Sequence, residues 1–97
     1  MTWAFHPEAR SEYREAAVFY EECRRGLGAE FSREIESAIG RILEAPERWR
    51  ITKQDVRHYL AHKFPYAILY TIEQDSILII AVAHASREPG YWKNRIA

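Results

Sequence analysis

Cysteine, glycine and long apolar runs are all scarce in this 97-residue chain, and each shortage removes a class of function. A lone Cys23 cannot form an internal disulfide. Without neighbouring Cys or His ligands it cannot build a zinc site either, so no metal is expected, and Cys23 is expected as a small core or boundary residue. The four glycines form no phosphate-binding loop, and the isolated serines lack a nucleophile-elbow context. No apolar stretch is long and uninterrupted enough to span a bilayer. Met1-Thr2-Trp3-Ala4-Phe5 has neither a basic n-region nor a long apolar h-region, so no signal peptide is expected. A cytoplasmic location without membrane contact or cofactor follows as the expectation.

Net charge is missing as well, with 14 Lys and Arg against 14 Asp and Glu. The balance hides an asymmetry. Residues 1–47 carry six Arg against ten Glu, whereas residues 48–97 carry eight Lys or Arg against four acids and three of the four histidines. A basic half of this size suits phosphate or acidic-protein contact, yet it is far weaker than the signature of a dedicated nucleic-acid domain.

What is present is an apolar fraction of 47% with 13% aromatics, enough for one modest core, so residues 1–97 are expected to form a single domain. Phe64 to Ile72 and Ile77 to His84 are two β-rich segments flanking a polar turn, which predicts an antiparallel hairpin. The second arm is apolar at odd and even positions alike, so 77–83 is expected as a strand buried on both faces. Pro89 and Gly90 suit the centre of a type II turn that sends Tyr91 and Trp92 back over the end of the sheet.

Upstream, Thr2 to His6 suits a short strand, and Pro7 with Glu8 suits a helix start. Ala9, Tyr13, Ala16, Ala17 and Tyr20 share one helical stripe; Phe31, Ile35, Ala38, Ile39 and Ile42 share another. Gly26-Leu27-Gly28 supplies the reversal between them, and Pro46 ends the second helix. Trp49 to Asp55 reads as a polar connector and Val56 to His62 as a strand. The expectation is an α+β fold in the order β-α-α-β-β-β: an N-terminal strand, an antiparallel helical hairpin, then a three-stranded antiparallel sheet with the helices on one face. With Gln74 and Asp75 as the turn, Tyr66 pairs with Ala83 and Tyr70 with Ile79, which puts Leu78, Ile80, Val82 and His84 on the opposite face. A turn at Lys63-Phe64 brings His62 to the same end of that face.

His62, His84, Arg87, Tyr91 and Trp92 then converge on one rim of the sheet, with Arg57 and His58 further along. Cleavage of RNA through its 2′-hydroxyl needs a base, a cation and an acid, and His, Arg and Tyr are suitable types. The plainer account makes the histidines locally bonded strand-end residues, Arg87 a surface cation, and Tyr91 and Trp92 caps on the core. From spacing alone the plainer account is favoured. The abundant glutamates, at helix-surface spacing, read as a solvated face. His58 and His62 lie too far apart in a strand to share a metal.

The chain resembles the RelE/ParE superfamily of type II toxin-antitoxin toxins, and most closely its ParE-like, plasmid-stabilisation branch. The residues that carry the resemblance are Phe5-His6-Pro7-Glu8-Ala9, Tyr20-Glu21, Gly26-Leu27-Gly28, Phe31, Pro46, Val56-Arg57, Phe64-Pro65-Tyr66, Ile68, Tyr70, Ala81-Val82-Ala83-His84 and Arg87-Glu88-Pro89-Gly90-Tyr91-Trp92. The resemblance implies a helical hairpin on a curved antiparallel sheet with the N-terminal strand added at its edge. It also implies a small cognate antitoxin as partner. RelE-like members cut mRNA on the ribosome, using basic residues of the sheet and a C-terminal tyrosine. ParE-like members are associated with poisoning DNA gyrase and have no known catalytic site. Carried onto this sequence, the catalytic candidates for a nuclease are His62, Arg87 and Tyr91, with Arg57, His84 and Trp92 as a functional surface. The arginine that follows the last strand in nuclease members falls on Ala85, which favours a non-catalytic gyrase inhibitor over a ribosome-dependent endoribonuclease.

Overall fold

The computed structural model describes residues 1–96. The elements are β1 (Thr2–Phe5), α1 (Pro7–Cys23), α2 (Leu27–Glu44), β2 (Ile51–Lys53), β3 (Val56–Leu60), β4 (Tyr66–Glu73) and β5 (Ser76–His84), followed by a 3-10 turn at Lys93–Arg95. Among the described residues, no helix is long and apolar enough to cross a membrane.

Local chemistry starts and stops the helices. His6 caps α1, its Nδ1 accepting the Glu8 N–H at 3.1 Å, while Pro7 takes the first turn, where a missing donor is harmless. Gly26 has a φ of 89°, left-handed backbone that a residue with a Cβ adopts only under strain, and the chain reverses there. The Glu21 carboxylate accepts the N–H groups of Gly26 and Gly28 at 3.0 to 3.1 Å, so the end of α1 satisfies the orphan donors at the start of α2. Gly28 is also where the two helices meet: a Cβ there would lie 2.5 Å from the Ala17 carbonyl oxygen.

Both predicted stripes face the sheet. Phe31, Ile35, Ala38, Ile39 and Ile42 are buried, as are Ala9 and Ala16, with Tyr13, Ala17 and Tyr20 partly so. They pack on Tyr59, Ile68, Tyr70, Ile77, Ile79 and Val82. Cys23 departs from its expected core or boundary place and is exposed, because the packed stripe stops at Tyr20, one turn before the helix ends.

The sheet is larger than the expected three antiparallel strands. It has five, in the order β1-β5-β4-β3-β2, and it is mixed because β1 runs parallel to β5 at the edge. The added strand is β2, inside the segment read as a polar connector. Its three residues are all exposed and carry no apolar alternation, and its tight turn to β3 uses Gln54 and Asp55, both at positive φ (51° and 64°), in place of the Asn-Gly that signals such turns. At its other end β3 stops at Leu60, short of the expected His62. Phe64 turns inward onto Tyr20 and Phe31, and Pro65 has no N–H for a ladder, so residues 61–65 form a loop.

Register follows expectation for half the hairpin. Tyr70 pairs with Ile79 and Ile72 with Ile77, but a bulge opposite Leu69 and Tyr70 inserts one residue, so Tyr66 faces His84 instead of Ala83. Ile80 and Ala81 both join the second face, and Val82 moves to the helix side, away from the Leu78, Ile80, Val82 and His84 grouping expected from strict alternation. The second face is covered by the chain that follows β5. The Tyr91 N–H donates to the Glu88 carbonyl across Pro89 and Gly90, and Gly90 has a φ of 79°, as a type II turn requires. Trp92, 3% exposed, then packs against Val56, Leu69, Ile80, Ala81 and Ala83.

Three outcomes test this packing. Ile79→Asp places an unpaired charge at a fully buried position and should unfold the protein, since its cost rivals the ~5–15 kcal/mol total stability of a domain. Amides of β4 and β5 should exchange slowest, and rapid exchange throughout 77–83 would contradict an interior strand. Gly28→Ala, which ordinarily strengthens a helix by up to ~1 kcal/mol, should instead lower the melting temperature, because its methyl group meets the Ala17 carbonyl.

Candidate functional site

β1 accompanies β5 only as far as Ile79, and β5 continues to His84, so its outer edge loses its partner halfway along. Side chains take over there. The Glu12 carboxylate, from α1, accepts the Val82 N–H at 2.9 Å, and Arg95 donates to the Ile80 carbonyl at 3.1 Å. The same two groups pair with each other at 2.9 and 3.0 Å, with side chains only 14% and 6% exposed. Tyr91 completes the cluster by donating its hydroxyl to Glu12 at 2.7 Å. Arg87 lies over the Tyr91 ring at 3.8 Å and reaches Glu12 at 3.8 Å. Burial above all, then the bond to the Glu12 carboxylate, pushes the Tyr91 hydroxyl well above its ordinary value of 10.0. Such a hydroxyl is held as a donor to Glu12 and is poorly suited to giving its proton to a leaving group at neutral pH.

The remaining predicted residues fall into separate environments. His62 is exposed in the loop after β3; its backbone N–H donates to Glu34 of α2 at 2.9 Å and its ring lies edge-on to Tyr59, 6.4 Å between centroids. His84 ends β5 with its ring edge-on to Tyr66 at 5.1 Å and Nδ1 bonded to the Ser86 side chain at 2.8 Å. Arg57 is a structural strap, donating to the carbonyls of Glu47 and Trp49 at 3.0 and 2.7 Å on the helix side. The structure thus gathers His84, Arg87, Tyr91 and Trp92 around one cavity of about 320 Å³ on the second face, and His62 is not among its lining residues.

Sequence reasoning missed Glu12, Arg95 and Lys53, and placed His58 only further along the strand from the rim. Glu12 was expected on a solvated face, and its partners Tyr91 and Arg95 lie 79 and 83 positions away, beyond any local pattern. Lys53 reaches the cavity only because β2 exists. His58 turns toward Trp92, 6.5 Å between ring centroids, and its buried Nε2 has no hydrogen-bond partner among the described residues. Alternation along β3 signals that placement, since Tyr59 belongs to the helix face and Val56 to the second. Among the described residues, no group of three or more His, Cys, Asp or Glu is arranged to hold a metal ion.

Burial first, and Arg50 second, lowers the His58 pKa below its ordinary 6.5. The unfolded chain therefore takes up this proton more readily than the folded one. The sign is fixed: His58 is neutral in both states well above pH 6.5, and stability falls as pH drops from about 6.5 through the folded value. Thermal melts of His58→Phe should lose this component of the acid sensitivity. In the cluster, Glu12→Gln leaves the buried Arg95 guanidinium with only the exposed Glu8 carboxylate, 3.9 Å away, and should destabilise by roughly 3–5 kcal/mol, measured by urea unfolding.

Two comparisons bear on this geometry. No match was found among the curated proteins. A family model described as the ParE toxin of the type II toxin-antitoxin system, parDE, matches residues 4–89, which takes in the second half of β1, the helical hairpin, strands β2 to β5 and the loop up to Pro89. With a match across most of its length, the chain belongs to the ParE toxin family, the toxins of type II toxin-antitoxin systems within the RelE/ParE superfamily.

Proposed function

We propose that this toxin arrests growth in the cytoplasm by inhibiting DNA gyrase without catalysis of its own. Membership of the family implies an antitoxin partner. The observation that carries the gyrase reading is the fate of the three nuclease candidates. Tyr91 is bound to Glu12, Arg87 is stacked on Tyr91, and His62 stands apart on the far side of β4 with its backbone tied to α2. A phosphate transition state needs cations and proton donors free to meet it, and this rim has engaged its own in holding the fold. Such a surface suits recognition by shape.

The antitoxin, in this reading, orders a segment across the helical hairpin and the sheet. Val18 and Phe19, each 58% exposed on α1, give that segment apolar ground to cover. Phe19→Asp should weaken co-purification with the antitoxin while leaving growth arrest intact.

Purified toxin separates the mechanisms. Inhibited supercoiling, stalled gyrase cleavage complexes and intact ribosome-bound mRNA are expected. Cleavage of ribosome-bound mRNA at defined codon positions, with gyrase unaffected, would overturn the proposal in favour of the endoribonuclease reading. His62→Ala is the cleanest variant, since the side chain is exposed and its bond to Glu34 runs through the backbone; it should leave arrest unchanged. Tyr91→Phe is less clean, because it also removes a hydrogen bond to the Glu12 carboxylate with a net contribution of roughly 1.5–3 kcal/mol.

A further inference from the structure

β1 is an edge strand, so one side of its backbone meets no neighbouring strand. The N–H groups of Thr2 and His6 donate inward to the carbonyls of Asp75 and Ile79 at 3.2 and 2.8 Å, so by alternation the N–H and C=O groups of Trp3 and Phe5 point out of the sheet. Native edge strands are ordinarily protected by charge, proline or a bulge. Thr2–Phe5 has none of these, and it displays Trp3, 40% exposed, next to Met1, 60% exposed. Beside this edge, on the helix side, lies a groove of about 390 Å³ between Trp3, Phe5 and Tyr13 on one hand and Ile39, Gly40 and Leu43 of α2 on the other. Its one charged side chain, Glu36, accepts the Tyr13 hydroxyl at 3.3 Å.

Charge decides what covers the edge. An interface between two identical copies sets each surface against itself, so it excludes surfaces of a single sign. The opposite edge strand, β2, carries Lys53 with Arg50 just before it and repels its own copy. The first half of the chain, which includes the helical hairpin, has the excess of Glu. β1 is uncharged and open along its backbone, and is the edge on which a copy can pair. We propose that two copies of this toxin join antiparallel through β1, the sheet running on from one copy into the other. Centred on Trp3, the pairing sets the N–H and C=O of each Trp3 against those of its counterpart and brings Met1 of one copy opposite Phe5 of the other, so the outward groups are met. Met1 then shares the face of Trp3 and Phe5, whose rings lie edge-on at 5.1 Å, and enters the other copy's groove. Val18 and Phe19 do not line the groove, so the surface assigned to the antitoxin stays open. Two short strands and two grooves make a small interface, of the class below ~1,200 Å² that associates weakly, so half-association at roughly 10–100 μM is expected.

The test uses the full toxin released from its antitoxin, followed by sedimentation and amide exchange from well below to well above that range. A monomer should give way to a dimer in which the Trp3 and Phe5 amides exchange at least about tenfold more slowly. The His6 amide, already bonded to Ile79, should keep its rate. Trp3→Lys sets two cations face to face and should raise the dissociation constant at least about tenfold. Gly40→Glu carries the test if Trp3→Lys fails to fold. A Cβ at Gly40 meets nothing within 4 Å and loss of a helical glycine favours folding, so this variant should stay folded while its side chain fills the groove and weakens the dimer several-fold. A monomer at every concentration, a dimer without protection at Trp3 and Phe5, or a dimer unchanged in both variants would each overturn the proposal. Loss of antitoxin capture in Trp3→Lys, with the unaltered toxin monomeric throughout, would assign the edge to the antitoxin and overturn it as well.

Discussion

The structure depends on the way one carboxylate closes an open sheet edge. β5 outruns its parallel partner after Ile79, and an unpaired Val82 N–H and Ile80 carbonyl inside a small protein are costly and invite strand addition from other chains. Glu12 and Arg95 meet those two groups and also neutralise each other. The pair acts as a short stretch of strand made from side chains. Because its members come from α1 and from the turn after Trp92, it ties the first helix and the last segment to the middle of the sheet. A buried ion pair adds little net stability over an apolar substitute, but it allows few alternative arrangements. Its contribution here is to placement.

That placement determines how the two sides of the sheet are covered. The helical hairpin buries one side with a full stripe from each helix. The other side has only a strap of about a dozen residues, anchored through Tyr91 and Arg95 to Glu12 and through Trp92 to the apolar surface. A strap so short leaves part of the face unfilled, and the small side chains of Ala67 and Ala83 deepen the gap. The bulge at Ile80 contributes too, since it sends Ile80 and Ala81 to the strap side together and turns Val82 to the helices.

Within this arrangement the residue types that suggest catalysis serve mainly as joints. Tyr91 donates to Glu12, Arg57 holds the connector before β2, and His84 is bonded to Ser86 at the end of β5. Among the described residues, the buried side-chain nitrogens without a bond are His58 Nε2, on the sheet face away from the helices, and Arg95 Nε, within the Glu12 cluster. A proton-transfer site and a binding pocket make opposite demands on such groups, the first requiring free titrating side chains and the second a fixed, partly desolvated wall.

The amino-acid sequence by itself determined both helices, the interior hairpin and the turn at Pro89-Gly90. Each rests on contacts between residues close in the chain: a 3.6-residue stripe, an apolar run around Gln74-Asp75, and a proline followed by a glycine at positive φ. Only the tertiary structure decided the rest. β2 is three exposed residues that exist as a strand because β3 lies beside them, and the bulge at Ile80 is a register adjustment that strict alternation cannot announce. Glu12 has the spacing of a solvated glutamate and is buried because residues 91 and 95 return to it. The cavity beside His58 follows from the same cause, for its wall and its floor lie far apart in the chain and meet only when the last segment is drawn across the sheet.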